Sequence, residues 1–292
     1  MEELVYFNGD LVPSSRVNLS PFDFGFLYGC GLFETMRVYN GSIFRLGRHL
    51  TRLRRSAEVL GIASKLVLLD LEKSCYEVLR VNELTEARLR LTVSAGEGGI
   101  IPDLATCDSI TVFIVARKLV PLPSESYERG FNVVLSSWRC SSQSPLLRLK
   151  STCYMENVLA KQEAKAAGAD EALFLNERGL LTESSTANIF LVSKGMLVTP
   201  SVESGVLPGI TREAVLELAQ RLGIEAIERE VKPKELVEAD EAFLTNSIFE
   251  IMPLTWLGEK PIGSGKPGEL SQRLMSAYKE MVVGHNLSSK II

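Results

Sequence analysis

The opening segment LVYFNGDLV sets two apolar runs on either side of Asn8-Gly9, a dipeptide that tolerates the two positive-φ positions of a tight hairpin turn, and so predicts a pair of short strands. LFETMRVYNGSIFRL repeats the arrangement around Asn40-Gly41. From Leu46 to Leu60 the apolar positions fall into helical spacing and stop at Gly61, and Leu66 to Val81 carries the same period. ARLRLTVSAG and DSITVFIVARKL return to the alternation of strands on either side of the glycine-rich GEGGIIPD. To this point the pattern is mixed α+β.

Between Lys118 and Arg129, KLVPLPSESYER has two prolines, two serines and neither period. It predicts a linker over 118–129 between an N-terminal domain at 1–117 and a larger C-terminal α/β domain at 130–292. The second region opens with a strand over Phe131 to Ser136, then a polar stretch and a helix using Met155, Val158, Leu159 and Ala166 that ends near Gly168. EALFLNERGLLTESSTANIFLV reads as a hairpin turning at Arg178-Gly179, followed by a further strand. The loop LPGIT opens the helix REAVLELAQRLG. Strands at Ala226 to Val231 and Glu241 to Thr245 flank a short acidic helix, and Leu270 to Val283 is a closing amphipathic helix. No internal repeat or low-complexity segment interrupts this order.

Composition narrows the class. The 292 residues are 46% apolar and 23% charged, which excludes disordered, collagen-like and disulfide-scaffold chains. With 32 Lys+Arg against 36 Asp+Glu there is no basic excess to hold nucleic acid. Cys30, Cys75, Cys107, Cys140 and Cys153 form no C-x-x-C and no zinc spacing, and read as reduced thiols. The opening MEELVYFNGD has neither a basic n-region nor an apolar h-region and no apolar run reaches membrane length, so a cytoplasmic protein with no nucleic-acid and no membrane partner is expected. The only histidines are His49, read as a structural residue on a helix, and His285, placed in a polar C-terminal tail. Without H-E-x-x-H or G-x-S-x-G, a catalytic base other than histidine is expected, and no metal site.

Two glycine-rich spots lack the context that phosphate binding needs. Gly29-Cys30-Gly31 has no third glycine at the required spacing, and in GSGKPG Lys266 is followed by Pro267 rather than Ser or Thr. They read as a turn and a polar surface loop. LPGITREAVLELA is more informative, because a glycine loop running into a helix offers free backbone N–H groups and a positive dipole end to an anion. Taken alone, the segment reads more readily as a routine N-cap with Thr or Glu in the first turn. Lys150, in LLRLKSTCYMENVLAKQEA, follows an apolar run; pointing inward it would be a nucleophile, pointing outward an ordinary surface lysine. Glu183, in LLTESSTANIFLV, sits between apolar strands, where a carboxylate requires a partner.

Taken together, YGCGLFETMRVYNGSIFRLGRHLTRL, LKSTCYMENVLAKQEAKAAGADEAL, GLLTESSTANIFLV, LPGITR and DEAFLTNSIFEIMPL resemble, in order and spacing, the class IV aminotransferases. These are the fold type IV pyridoxal phosphate (PLP) enzymes: branched-chain aminotransferases, D-amino-acid aminotransferases and aminodeoxychorismate lyases. The resemblance covers nearly the whole chain. It implies a two-domain α/β (α+β) fold of the D-amino-acid aminotransferase type, a homodimer, and PLP between the domains, with the lysine carried by the C-terminal one. Lys150 would form the Schiff base and shuttle the substrate proton, and Glu183 would pair with the pyridine nitrogen. Tyr154, within one residue of the family spacing, would bond the phenolic oxygen. The phosphate would fall to Arg52, to Leu207, Gly209, Ile210 and Thr211 at the helix terminus, and to Ser247. Tyr28, Thr35, Arg90 and Asn246 align with positions on the substrate side.

The departures bear on specificity. Branched-chain enzymes typically carry glycine at Thr35 and G-T-A at Asn246-Ser247-Ile248, and both differences lean towards the lyase branch. SAGEGGII lacks the two arginines frequent in that branch, and no R-x-H pair of the D-amino-acid enzymes stands at Arg90. The resemblance implies amino-group transfer from an apolar, branched-chain-like amino acid to a 2-oxo acid. The alternatives are an aminodeoxychorismate lyase that releases pyruvate and 4-aminobenzoate and, more remotely, a non-catalytic PLP-binding or scaffold protein.

Overall fold

The computed structural model describes residues 2–289, with side chains through 286. The chain divides into two compact units, one of residues up to 120 with 149–153 and the end of the chain from 285, the other of 121–148 with 154–284.

In the first unit the strands are β1 (Leu4–Phe7), β2 (Asp10–Pro13), β3 (Gly31–Tyr39), β4 (Ser42–Ile43), β5 (Ala87–Ser94) and β6 (Thr111–Lys118). They form one antiparallel sheet in the order β2-β1-β6-β5-β3-β4. Both Asn-Gly turns hold their positive φ, at 50° and 112° for Asn8 and Gly9 and 49° and 81° for Asn40 and Gly41. The helices are α1 (Phe24–Tyr28), α2 (Leu46–Val59), α3 (Ala63–Leu66) and α4 (Leu71–Val81). Leu46, Leu50, Leu53 and Ala57 bury the apolar stripe of α2 in a core shared with Leu32, Met36 and Val38 of β3. Helix α1 shows no period in the sequence because it is one turn long. Asp23 caps it by accepting from Gly25 N (2.8 Å) and Phe26 N (3.3 Å).

The second unit begins with α5 (Ser124–Arg129), β7 (Phe131–Cys140), α6 (Met155–Ala166), β8 (Glu171–Asn176), β9 (Leu181–Ser184), β10 (Asn188–Ser193) and β11 (Met196–Pro200). It continues with α7 (Ile210–Arg221), β12 (Ala226–Arg229), α8 (Pro233–Glu238), β13 (Glu241–Asn246), β14 (Glu250–Leu257), β15 (Lys260–Pro261) and α9 (Glu269–Ser289). The mixed sheet runs β12-β11-β10-β13-β14-β7-β8-β9, with β15 on β14. Of its parallel pairs β7/β8, β11/β12 and β7/β14, the first two are joined through α6 and α7, as parallel neighbours close in sequence require.

Several expectations are corrected. Within the segment 118–129, Ser124–Arg129 forms α5, a helix too short to show a period. Lys150 does not belong with the bulk of the C-terminal region: residues 149–153 group with the first unit. His285 is in α9 rather than in a polar tail, edge-on to Phe44 at 5.2 Å with Nε2 3.3 Å from the Ile43 carbonyl. Strand β14 is not evident in the sequence, where Pro253 argues against an interior strand. It is tolerated because pairing with β7 begins only at Leu254 and slips before Trp256.

Candidate active site

Lys150 owes its place to strand pairing. Phe33 N donates to the Lys150 carbonyl (2.8 Å) and Thr152 N to the Gly31 carbonyl (2.9 Å), so Ser151 faces Leu32 in an antiparallel bridge at the start of β3. The Thr152 hydroxyl adds a bond to the Gly29 carbonyl (2.9 Å). Here the Gly29-Cys30-Gly31 motif finds its reason. A Cβ on Gly31 would stand 2.8 Å from Thr152 Oγ1, and one on Gly29, whose φ is 71°, 2.7 Å from Cys153 Sγ. The glycines admit the lysine segment, not a nucleotide. The half-buried Lys150 places Nζ 4.5 Å from the centroid of the Phe33 ring, over which the Arg90 guanidinium lies at 3.8 Å.

The N-terminal unit positions four more of the expected residues. Thr35 stands opposite Arg90 in the β3–β5 register, and Arg90 Nε donates to Thr92 Oγ1 at 3.3 Å. Tyr28 is exposed at the end of α1, edge-on to Phe24 at 5.0 Å. Arg52, on the buried side of α2, grips Glu34 through Nε (2.8 Å) and Nη2 (2.6 Å). His49, one turn earlier, places Nδ1 2.6 Å from the same carboxylate. Glu34 is a residue that the sequence reading does not single out; its one signal is a carboxylate at a core position of an alternating strand.

In the second unit, Glu183 on β9 and the loop before α7 are tied together by Asn188. The Asn188 amide donates to Glu183 Oε2 (2.9 Å) and to the Leu207 carbonyl (2.9 Å), while Leu207 N donates to Glu183 Oε2 (3.2 Å). Gly209 is the N-cap of α7 and the helix has no side-chain cap. A Cβ on Gly209 would overlap the Asn188 Oδ1 atom. The backbone therefore runs bare past this point into buried Ile210 and Thr211. A helix N-terminus entered through a glycine and without a side-chain cap suits a phosphate, so the residues present fit a phosphorylated cofactor.

Tyr154 donates its hydroxyl proton to the Ser185 carbonyl (3.0 Å), which also accepts from Asn157 (2.9 Å). That loop is anchored below by buried Glu171, which accepts from the Ser185 and Thr186 hydroxyls, the latter at 2.8 Å, and pairs with Lys161 at 2.7 Å. Asn246 closes the tight loop after β13, accepting from Ile248 N and Phe249 N (both 2.9 Å), with half-buried Ser247 between. Asn188 and Glu171, like Glu34, act on neighbours that motif spacing does not show. The other glycine-rich segment, GSGKPG, is also no anion loop. Gly268 leaves room for the Glu241 carboxylate, which caps α9 by accepting from Leu270 N (2.9 Å) and Ser271 N (2.8 Å). Among the described residues no cluster of His, Cys, Asp and Glu could hold a metal, and no helix is long and apolar enough to cross a membrane.

The fold is that of the PLP-dependent enzymes of fold type IV. The structure is similar to that of a T.th. branched-chain amino acid aminotransferase with pyridoxamine 5'-phosphate, at a TM-score of 0.90 and 31% identity, covering 98% of this chain and 95% of that one. The family model of class IV aminotransferases matches residues 31–256, and the chain belongs to that family. A Methanocaldococcus jannaschii protein assigned as a branched-chain-amino-acid aminotransferase is 36% identical over 277 residues, spanning 95% of this chain and 96% of that one. An aminodeoxychorismate lyase of Bacillus subtilis is 35% identical over 283 residues, spanning 96% and 94%.

Proposed function

We propose that this enzyme transfers the amino group of an amino acid with a branched or other apolar side chain to a 2-oxo acid. The observation that carries the reading is the pairing of the Lys150 segment with the start of β3, through the Lys150 carbonyl and Thr152 N, which anchors the backbone from which the lysine side chain extends. A proton can then be taken from the substrate Cα and delivered onward from one fixed anchor. Bound PLP supplies an electron sink for the pair left at Cα. Glu183, held by Asn188 and Leu207 N, is assigned to the pyridine nitrogen and Tyr154 to the phenolic oxygen. Arg52, the α7 terminus from Leu207 to Thr211, and Ser247 are assigned to the phosphate. Tyr28, Thr35, Arg90 and Asn246 are assigned to the substrate, with Arg90 offering its guanidinium to the substrate carboxylate.

A homodimer accompanies this reading. It is supported by the run Phe22, Phe26, Leu27 and Tyr28, which exposes apolar surface shortly before the Gly29–Gly31 segment that holds Lys150, with Phe26 68% exposed. A cytoplasmic location agrees with five unpaired cysteines. Thr35 favours a second reading, aminodeoxychorismate lyase, with the same Lys150 and Glu183. The absorbance spectrum of the purified protein separates them. Loss of the visible cofactor band on adding an apolar L-amino acid, with its return on adding a 2-oxo acid, is expected for transamination. A band indifferent to both, with pyruvate released from aminodeoxychorismate, assigns the lyase. Lys150→Ala is expected to abolish turnover in either case, and full turnover in that variant removes both readings.

A further inference from the structure

Strand β3 turns Leu32, Glu34, Met36 and Val38 to the face that packs on α2, and Glu34 alone of these is not hydrophobic, at 0% exposure. A carboxylate buried there without partners would be strongly unfavourable. Helix α2 answers with two side chains one turn apart, His49 and Arg52. Burial alone would push the Glu34 carboxyl up, but the Arg52 guanidinium and the hydrogen bonds from Arg52 and His49 outweigh it and hold the group at about 2. Burial pushes the His49 imidazole down, so the ring is neutral and donates Nδ1–H to the ionised carboxylate.

Apolar residues of similar volume in place of a buried ion pair commonly leave a protein equally stable. What the cluster does that hydrocarbons cannot is orient an arginine. Both Glu34 oxygens engage the guanidinium along its Nε–Nη2 edge, which fixes the plane of the group and therefore the direction of the opposite edge.

We infer that Glu34, supported by His49, is a positioning residue that fixes the Arg52 guanidinium for the phosphate of the cofactor. The inference rests on the assignment of Arg52 proposed above. The test is titration of the apoenzyme with PLP and, separately, with pyridoxal, which lacks the phosphate; the ratio of the two Kd values is the readout. Arg52→Met examines the assignment itself, and a wild-type ratio in that variant removes the phosphate reading whatever Glu34 does. With the preference for PLP lost in Arg52→Met, Glu34→Gln is expected to weaken PLP by about tenfold, the lower end of what loss of an orienting partner costs a ligand residue. Pyridoxal binding is expected to be unchanged, and the double variant no weaker for PLP than Arg52→Met alone. Equal losses of PLP and pyridoxal would mark Glu34 as merely structural and overturn the inference, as would an unchanged PLP affinity. Should Glu34→Gln not fold, Glu34→Asp keeps the charge but retracts the oxygens by one methylene. A lowered preference for PLP in that variant supports the inference, and a wild-type preference overturns it.

Discussion

In each unit a buried carboxylate underlies residues assigned to the site, and the two, Glu34 and Glu171, are neutralised differently. Glu34 meets its partners in the interior, with the Arg52 side chain 10% and that of His49 2% exposed. Glu171 is as deeply buried, but its cation, Lys161, is 47% exposed, and its remaining partners are the hydroxyls of Ser185 and Thr186. The first is a sealed charge cluster that fixes a guanidinium. The second is a post under a loop, whose Ser185 carbonyl receives Tyr154 and Asn157. Loss of the carboxylate removes the counter-charge of a buried cation in one place and of a half-hydrated one in the other.

The largest consequence follows from that difference. Glu34→Ala takes away the anion against which Arg52 is buried and is expected to destabilise by about 3–5 kcal/mol. Glu171→Ala lets Lys161 turn to water and forfeits chiefly two hydroxyl bonds, an expected loss of about 1–3 kcal/mol. Urea unfolding followed by amide exchange in α2 and in α6 measures the two separately. Equal losses would show that exposure of the partner is irrelevant and break the comparison.

Acid sharpens it further. The folded Glu34 carboxyl lies at about 2 against an ordinary 4.5, so its contribution is present above 4.5 and is lost as pH falls towards 2. That difference is worth about 3 kcal/mol at roughly 1.4 kcal/mol per unit. His49 has a folded value below its ordinary 6.5, so the unfolded chain binds its proton first and stability also declines as pH falls below 6.5. Amide protection in α2 is thus expected to weaken in two stages, the first removed in His49→Gln. Protection in α2 that stays flat from pH 7 to pH 3 would contradict both.

Legibility in sequence follows the same division between local and distant partners. The Asn-Gly hairpins, α2, α4 and α7 depend on neighbours within a few residues, and their patterns carry them. Lys150 and Glu183 stand out because each sits inside a motif, yet the grouping of Lys150 with the first unit depends on pairing between residues 31–33 and 150–152, which no periodicity encodes. His285 reaches Phe44 across most of the chain, so a polar tail is the local reading and a packed helix the tertiary one. Strand β14 is hidden by Pro253 for a sound reason that the late start of its pairing with β7, at Leu254, then overrides. Glu34, Glu171 and Asn188 share one difficulty. Each is an ordinary polar residue made special by what folding places against it.

Asn188 gives the smallest effect and the finest test. The φ of Gly209 is −71°, which any residue adopts, so alanine there meets only a steric objection from Asn188 Oδ1. Gly209→Ala is expected to displace the Asn188 amide, loosen its bonds to Glu183 and Leu207, and weaken PLP binding about fivefold, on the order of 1 kcal/mol. Asn188→Ala removes the same bonds directly, at a similar expected loss. Combined, the two changes should cost less than their sum, because the methyl group added at Gly209 enters space that the loss of the Asn188 amide has emptied. PLP titration of the four proteins completes the cycle. Full additivity would mean that the added methyl group is accommodated elsewhere, and that the link between Glu183 and the α7 terminus does not run through Asn188.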